Sequence, residues 1–250
     1  MLGGFYTIAS GMMVQQRKLE VQGNNLVNSQ TPGFHAQRVV ASSFSDELAT
    51  TRLEYRNTEE IGPTHPIAVV DTVSTLMTSG DIRESERPMD VAINGLGYYQ
   101  IPGEAGVTYL TRNGGFDVDE EGYLMIPELG RVHGEDGEIQ VGNTNFTVLD
   151  DGTVNNSEGE TVGRLQAYTI PEGMDLTQYR NGVFGVPEGT DLQAQEGTQF
   201  MQGYLEYSNV DQNREMTMLM EAQSSFVSCS TALQIIDQIN QKAAQQIASL

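Results

Sequence analysis

Between Gly203 and Leu250 there is neither a glycine nor a proline, and apolar residues recur there with the period of a helix. Met216, Leu219, Met220, Phe226, Val227, Leu233, Ile236, Ile239, Ala243 and Ile247 supply the stripe. It extends over about 40 residues, a helix roughly 60 Å long. Average helices reach only about 11 or 12 residues, so few small globular folds can hold this one. Ser208, with Asp211 three residues later, has the spacing of a capping box and predicts where the helix opens. Gln234, Gln238, Gln241 and Gln245 add a second stripe, polar but uncharged. Such a face is either simply solvated or hydrogen-bonds between subunits.

A second helical run opens the chain. Leu2, Phe5, Ala9, Met12, Gln16, Leu19, Gly23 and Leu26 alternate steps of three and four, a heptad seam roughly 40 Å long. Gln16 and Gly23 weaken that seam, which predicts a packed helix rather than an autonomous zipper. The tract NNLVNSQTPGF then ends it. Asn24, Asn25 and Asn28 lower helix propensity, Pro32 pushes Thr31 out of the α region, and Gly33 admits a positive φ. The expected stop lies between Asn28 and Thr31. Two long amphipathic segments at opposite ends of a chain invite pairing with each other and with neighbouring copies.

Charge divides the chain in the same way. The formal net charge is −21, yet residues 1–40 hold three bases against one acid, and residues 203–250 two bases against five acids. The middle, with 8 arginines against 28 acids, stays hydrated and self-repelling while the ends can pack. Only two lysines occur, Lys18 and Lys242, and no basic cluster exists to meet phosphate, which argues against nucleic acid or an anionic membrane as partner. No stretch approaches the roughly 20 apolar residues of a membrane span, so direct membrane insertion is not expected. The opening MLGGFYTIASGMM carries no basic residue and does not read as a secretory leader.

The centre, residues 91–200, reads as β. It holds 19 of the 27 glycines, and short apolar runs such as VAI, GYYQI, VTYLT, YLMI, EIQV, FTVL and RLQAYTI alternate with Asn-Gly, Glu-Gly and Asp-Gly turns. Residues 35–90, with Pro63, Pro66 and Pro88, read as an extended connector. The expected organisation is an N-terminal helix over 1–34, a connector over 35–90, a β domain over 91–200 and a C-terminal helix over 201–250. The fold class is α+β, with the end helices pairing in a coiled-coil-like arrangement and the sheet mostly antiparallel.

Catalytic chemistry is scarce. His35, His65 and His133 have no metal-ligand spacing, and no P-loop, GxSxG or GxGxxG sequence occurs. The single cysteine, Cys229, lies among serines on the C-terminal stripe with no histidine nearby, and reads as a small helix-face residue. DVDEEGYLMIPE places Asp117, Asp119, Glu121, Gly122 and Glu128 at calcium-loop positions 1, 3, 5, 6 and 12. Glu at the third ligand position, Pro127 at the loop's exit and strand-like flanks favour an acidic β-turn instead. A calcium-binding β module is the alternative reading of the chain; no catalytic residue, cofactor or metal is expected.

Four blocks in order carry a resemblance. ASGMMVQQRKLEVQGNNLVNSQTPGF at 9–34, RPMDVAINGLGYYQI at 87–101, YLTRNGGFDVDEEGYL at 109–124 and QGYLEYSNVDQNREMTMLMEAQSSF at 202–226 resemble the bacterial flagellar axial proteins, the rod and hook family. The length and lack of large inserts look most like its rod members. His35 stands where many members carry a basic residue, and residues 42–80 diverge.

The resemblance implies a structural subunit rather than an enzyme. Such proteins leave the cell through the flagellar type III export apparatus and polymerise, with themselves and other rod and hook subunits, into a hollow helical rod. That rod is part of the basal body, crosses the periplasm and transmits motor torque. The terminal helices would form the inner tube and the β domain its outer layer. The resemblance further implies that Asn24, Asn25, Asn28, Phe34, Ser208 and Asn209 act where helices give way to the outer domain. The expected assembly residues are Leu2, Phe5, Met12, Leu19 and Leu26 on the first helix and Thr31, Pro32 and Gly33 at its stop. On the C-terminal side they are Val210, Glu215, Met216, Leu219, Phe226, Leu233 and Ile236.

Overall fold

The computed structural model describes residues 2–43, 68–103, 107–170, 177–179, 182–187, 190, 192–195 and 197–248. Pro63, His65 and Pro66 of the expected connector lie outside them. One helix opens the described chain, α1 (Leu2–Val27), and one closes it, α2 (Gln212–Ala248). Among the described residues between them the regular elements are one 3₁₀ turn and short antiparallel strands. The chain divides into two units. A helical unit comprises Met1–Val27, Ala36–Leu76 and Asp211–Leu250, and a β unit comprises Asn28–His35 and Met77–Val210.

In the helical unit α1 packs along α2 and against a ribbon of β1 (Gln37–Ser43) and β2 (Ala68–Thr75). The ribbon is antiparallel, with Val39 opposite Val73 and a register shift between Val40 and Ala41. The amphipathic period of α2 is real, but it splits into two faces. Glu215, Leu219, Ala222, Phe226, Cys229, Leu233 and Ile236, at alternating steps of four and three, are buried or half-buried. Met216, Met220, Val227 and Ile239 are each more than half exposed. On α1 the buried positions are Val14, Val21 and Asn25. They lie two residues along from Met12, Leu19 and, less regularly, Gly23, which on a helix is a rotation of about 200°. A single chain therefore buries nearly the opposite side of α1 from the heptad seam read in the sequence. Met12, Leu19 and Leu26 stay half-exposed and Phe5 exposed; Leu2 begins the helix.

The start of α2 also differs from the sequence reading. Asp211, not Ser208, is the N-cap: its Oδ1 accepts from the N–H groups of Asn213 (3.0 Å) and Arg214 (3.2 Å). Ser208 Oγ instead accepts from Val210 N at 3.3 Å, closing the turn before the helix. Both residues can cap, and the three-residue spacing could not say which one the backbone would choose.

The β unit follows the strand pattern closely. β4 (Val91–Asn94), β5 (Tyr99–Pro102) and β6 (Val107–Thr111) fall on expected apolar runs, while β3 (Ile82–Glu84) lies in the tract read as connector. The largest sheet has six strands, all antiparallel, in the order 137–138, 133–134, β5, β6, 184–187, 177–178. The run RLQAYTI is not one strand: Thr161–Arg164 and Tyr168–Thr169 join different sheets, with buried Leu165 and Ala167 between them. Val91, Ile93, Tyr99, Ile101, Phe116, Leu124, Ile126 and Leu165 form the core, and the Tyr99 hydroxyl satisfies itself by donating to Val91 O at 2.8 Å.

The calcium-loop spacing belongs to a hairpin. Asp117–Val118 pairs with Leu124–Ile126, and no helix flanks the loop. Asp119 Oδ1 accepts from Tyr123 N (2.7 Å) and Glu121 N (3.0 Å), while its Oδ2 takes Arg131 Nε at 2.8 Å. The Tyr123 N–H above all, with Arg131 behind it, holds the Asp119 carboxyl below the usual carboxylate range. Arg131 also bonds Glu121 at 2.6 Å and Glu138 at 3.0 Å. These oxygens close a turn and bind a guanidinium, so the spacing is explained without a cation.

Candidate assembly site

Helix α1 stops at Val27, one residue before the expected window, and tightens into a 3₁₀ turn over Asn28–Gln30 inside it. Just before the stop, Asn25 is 1 % exposed. Its Nδ2 donates to Gln37 O (2.8 Å) and to Glu215 Oε2 (3.3 Å), and its Oδ1 accepts from Gln37 N (2.9 Å). One amide thus joins α1, the first residue of β1 and the first turn of α2. Glu215 is itself 3 % exposed, so its carboxylate needs that donor. Sequence reasoning named both residues but could not pair them, because 190 positions separate them. Asn25→Ala should remove the donor from the buried Glu215 carboxylate and the two bonds to the Gln37 backbone, destabilising the helical unit by about 1–3 kcal/mol. Faster amide exchange at Gln37 and along β1 would register that loss; unchanged exchange would show the node to be idle.

Beyond the stop, residues 28–35 belong to the β unit. Thr31 N–H bonds back to Asn28 O at 3.1 Å, and the Thr31 hydroxyl meets Asn28 Oδ1 at 3.2 Å. Pro32 leads into Gly33, whose φ is +70° and whose N–H donates to Glu206 O at 2.9 Å. Only glycine fits there. A Cβ would lie 2.4 Å from Asn113 N and 2.6 Å from Arg112 C. Phe34 follows, 3 % exposed, and on the C-terminal side Asn209 Nδ2 donates to Thr78 O at 2.8 Å. Asn24 is exposed and Val210 half-buried.

Two groups at this corner take roles that the sequence reading did not give them. Arg112 and Glu206 are 3 % and 1 % exposed and form an ion pair of 3.0 Å between Nε and Oε2. Glu206 Oε1 also accepts from Gly80 N at 2.9 Å. Arg112 donates to Gly97 O (2.8 Å), Gly95 O (2.7 Å) and Ser79 Oγ (2.9 Å). Burial pushes the Glu206 carboxyl up, against the opposing pull of Arg112 and the Gly80 N–H. Both residues lie inside tracts that looked like family motifs, LEYSN and YLTRNGG, but nothing in either tract points to the other.

His35 is the second such group. It is 2 % exposed, with Nδ1 3.2 Å from Gly33 O and its ring 6.0 Å from Phe184 and 6.2 Å from Tyr98. Burial lowers its pKa from 6.5, the Gly33 carbonyl opposes this, and the charge of Arg112 lowers it further. Because the folded pKa is depressed, the unfolded chain binds the extra proton first. The stability this neutral ring contributes is complete above pH 6.5 and lost as pH falls toward the folded value. Replacing His35 with Phe should flatten the pH dependence of β-unit melting in that window. An identical profile in the variant would clear His35 of the effect.

Three parts of the chain match known families. Residues 5–35 match the family described as "Flagella basal body rod protein", residues 92–156 the "Flagellar hook protein FlgE/F/G D1 domain", and residues 201–246 the "Flagellar basal body rod FlgEFG protein C-terminal". Together they cover more than half of the sequence. Among curated proteins, the chain is 29 % identical to the "Flagellar basal-body rod protein FlgG" of Bacillus subtilis, over 97 % of this chain and 98 % of that one. It is 27 % identical to the "Flagellar hook-basal body complex protein FlhO" of the same organism, over the full length of both. It is 30 % identical to the "Flagellar basal-body rod protein FlgG" of Agrobacterium fabrum, over 92 % of this chain and 94 % of that one.

Proposed function

Since this chain belongs to the flagellar basal-body rod protein family, a structural subunit of the basal body that assembles with other flagellar proteins, we propose that it polymerises through its terminal helices into a hollow, torque-bearing shaft. In that shaft α1 and α2 pair as a coiled-coil-like layer around the bore, and the β unit forms the outer layer. The subunit reaches its place through the flagellar type III export apparatus.

One observation carries this reading. Met216, Met220, Val227, Gln234, Gln238, Gln241 and Gln245 succeed one another at steps of four, seven, seven, four, three and four, so they share one helix face, and every one is exposed. None of these seven residues is charged in a chain of net charge −21, and the acid that reaches the face, Asp237, accepts from Gln241 Nε2 at 3.1 Å. A face that is apolar at one end and amide-rich at the other serves packing against neighbours and contact with a wet bore better than it serves a solvated monomer. The half-exposed seam of Met12, Leu19 and Leu26 on α1 is likewise open for a neighbouring helix. The expected assembly residues Leu219, Phe226, Leu233 and Ile236 act first within the chain, holding α2 on α1, and Met216 acts between chains.

Electron microscopy of the purified protein beside a variant lacking residues 209–250 tests the proposal. Tubes or helical oligomers are expected from the full chain alone. Equal assembly by the truncated variant would show that the terminal helices do not build the shaft.

A further inference from the structure

The dipeptide Asn-Gly occurs three times, at 94–95, 113–114 and 181–182. In that pair the asparagine side-chain amide is open to attack by the next backbone nitrogen, because glycine carries no Cβ to screen it. Asn181 lies outside the described residues, but the other two can be compared. Their environments are opposite.

Asn94 and Gly95 are both exposed, in the turn between β4 and β5. Among the described residues the Asn94 side chain has one bond, from Nδ2 to Gln199 Oε1 at 3.2 Å, in a place open to water. Such a bond holds it weakly. Gly95 takes a φ of +133°, and no described atom lies within 4 Å of where its Cβ would stand. Arg112 grips the turn beyond this point, donating to Gly95 O at 2.7 Å and Gly97 O at 2.8 Å. Those bonds fix the peptide planes after Gly95, not the plane that joins it to Asn94.

Asn113 is half-buried and tied on both sides. Its Oδ1 accepts from Gly115 N at 2.9 Å, and its own N–H donates to Thr111 Oγ1 at 3.1 Å. Gly114 is buried, its carbonyl accepts from Val91 N at 2.9 Å, and a Cβ on it would run into Val91 O. Ring closure there would have to displace β4.

We propose that Asn94 is a site of spontaneous deamidation, and that the isoaspartate formed there loosens the buried Arg112–Glu206 pair. The Gly95 nitrogen gives up its proton to water and attacks Asn94 Cγ. A C–N bond forms, the Cγ–Nδ2 bond breaks, and ammonia leaves a succinimide ring. Water opens that ring at either carbonyl, giving aspartate or isoaspartate. Isoaspartate carries the main chain through the former side chain and lengthens it by a methylene, which moves Gly95 relative to β4. Gly95 O and Gly97 O then cannot both stay on the guanidinium whose Nε holds Glu206 Oε2 at 3.0 Å. A reaction at the surface thereby reaches a buried charge.

Peptide mapping of the purified full chain, incubated at neutral and mildly alkaline pH, tests this, with the same chain in urea as reference. In urea both asparagines should convert at similar rates, since local sequence alone governs them. In the folded protein Asn94 should convert nearly as fast, and faster as pH rises, because the attacking nitrogen must lose its proton. Asn113 should be slowed about tenfold or more, since its reaction waits for local opening. The melting temperature of the wild type should fall as isoaspartate accumulates. Asn94→Gln, whose longer side chain closes a larger ring slowly, should keep its melting temperature through the same incubation. Conversion of Asn94 as slow as that of Asn113 overturns the site. Conversion at Asn94 with unchanged melting overturns the link to Arg112. Should the variant be unstable from the outset, the wild-type time course still decides both.

Discussion

Replacing Arg112 with methionine should lower the stability of the β unit by about 3–5 kcal/mol, the largest effect expected of any single change in this chain. The side chain fits the site in length, so the loss comes from charge. Glu206, 1 % exposed, would keep its Gly80 N–H but lose the cation 3.0 Å from its Oε2. The carbonyls of Gly95 and Gly97 would lose their donor at the same time. Without Arg112, only the Gly80 N–H still opposes burial at the Glu206 carboxyl, and its folded pKa rises further above the unfolded one. The contribution of Glu206 to the variant's stability is then greatest below the unfolded carboxylate pKa, near 4.5, and declines as pH rises. Two measurements check this, a denaturant melt at neutral pH and its repetition in acid. Adding Glu206→Gln to Arg112→Met should recover part of the loss, since it removes the uncompensated charge. A single variant as stable as the wild type would mean that the ion pair contributes nothing.

The second large effect is at Gly33. Alanine there must hold φ near +70°, which costs about 1–2 kcal/mol by itself. Its Cβ would also stand 2.4 Å from a backbone nitrogen, an atom that cannot turn aside as a side chain could. The 28–35 segment must therefore lift from its seat, releasing the Gly33–Glu206 backbone bond and exposing Phe34, which is 3 % exposed in the native fold. Gly33→Ala is expected to destabilise the β unit by at least about 2 kcal/mol and to abolish swimming when it is the only copy in the cell. Full motility with unchanged melting would show that the segment tolerates displacement. A serine at Gly142, whose φ is +79° but whose Cβ position is open, separates the two causes. It should show the conformational cost without the collision.

These two sites differ in how visible they were beforehand. Thr31-Pro32-Gly33 announces itself, because proline and glycine impose backbone states whatever surrounds them, and the helix stopped where they required. The long α2 was equally legible, since no breaker follows Gly203 and apolar residues recur with helical period over its length. The strand-and-turn pattern located β4, β5 and β6 for the same reason, apolar runs between Gly-bearing turns. Recurrent motifs led to the family, and the comparisons bear that out.

Whatever depended on a partner distant in sequence had to wait for the fold. Periodicity showed that α1 has a heptad seam but not which side a single chain would bury; the packing of α2 and the β1–β2 ribbon chose Val14, Val21 and Asn25 instead. Asp211 displaced Ser208 as cap, a choice between two competent side chains that only the path of the backbone could make. The acidic loop at 117–128 had calcium spacing until Arg131 was seen bonded to Asp119 and Glu121. Local sequence determines where the chain can turn and which segments can be helix or strand, since those preferences act within a few residues. Which buried charges meet, and which apolar face stays open for a neighbour, is decided by contacts across 94 residues for Arg112 and Glu206 and 190 for Asn25 and Glu215, and tertiary structure alone supplies them.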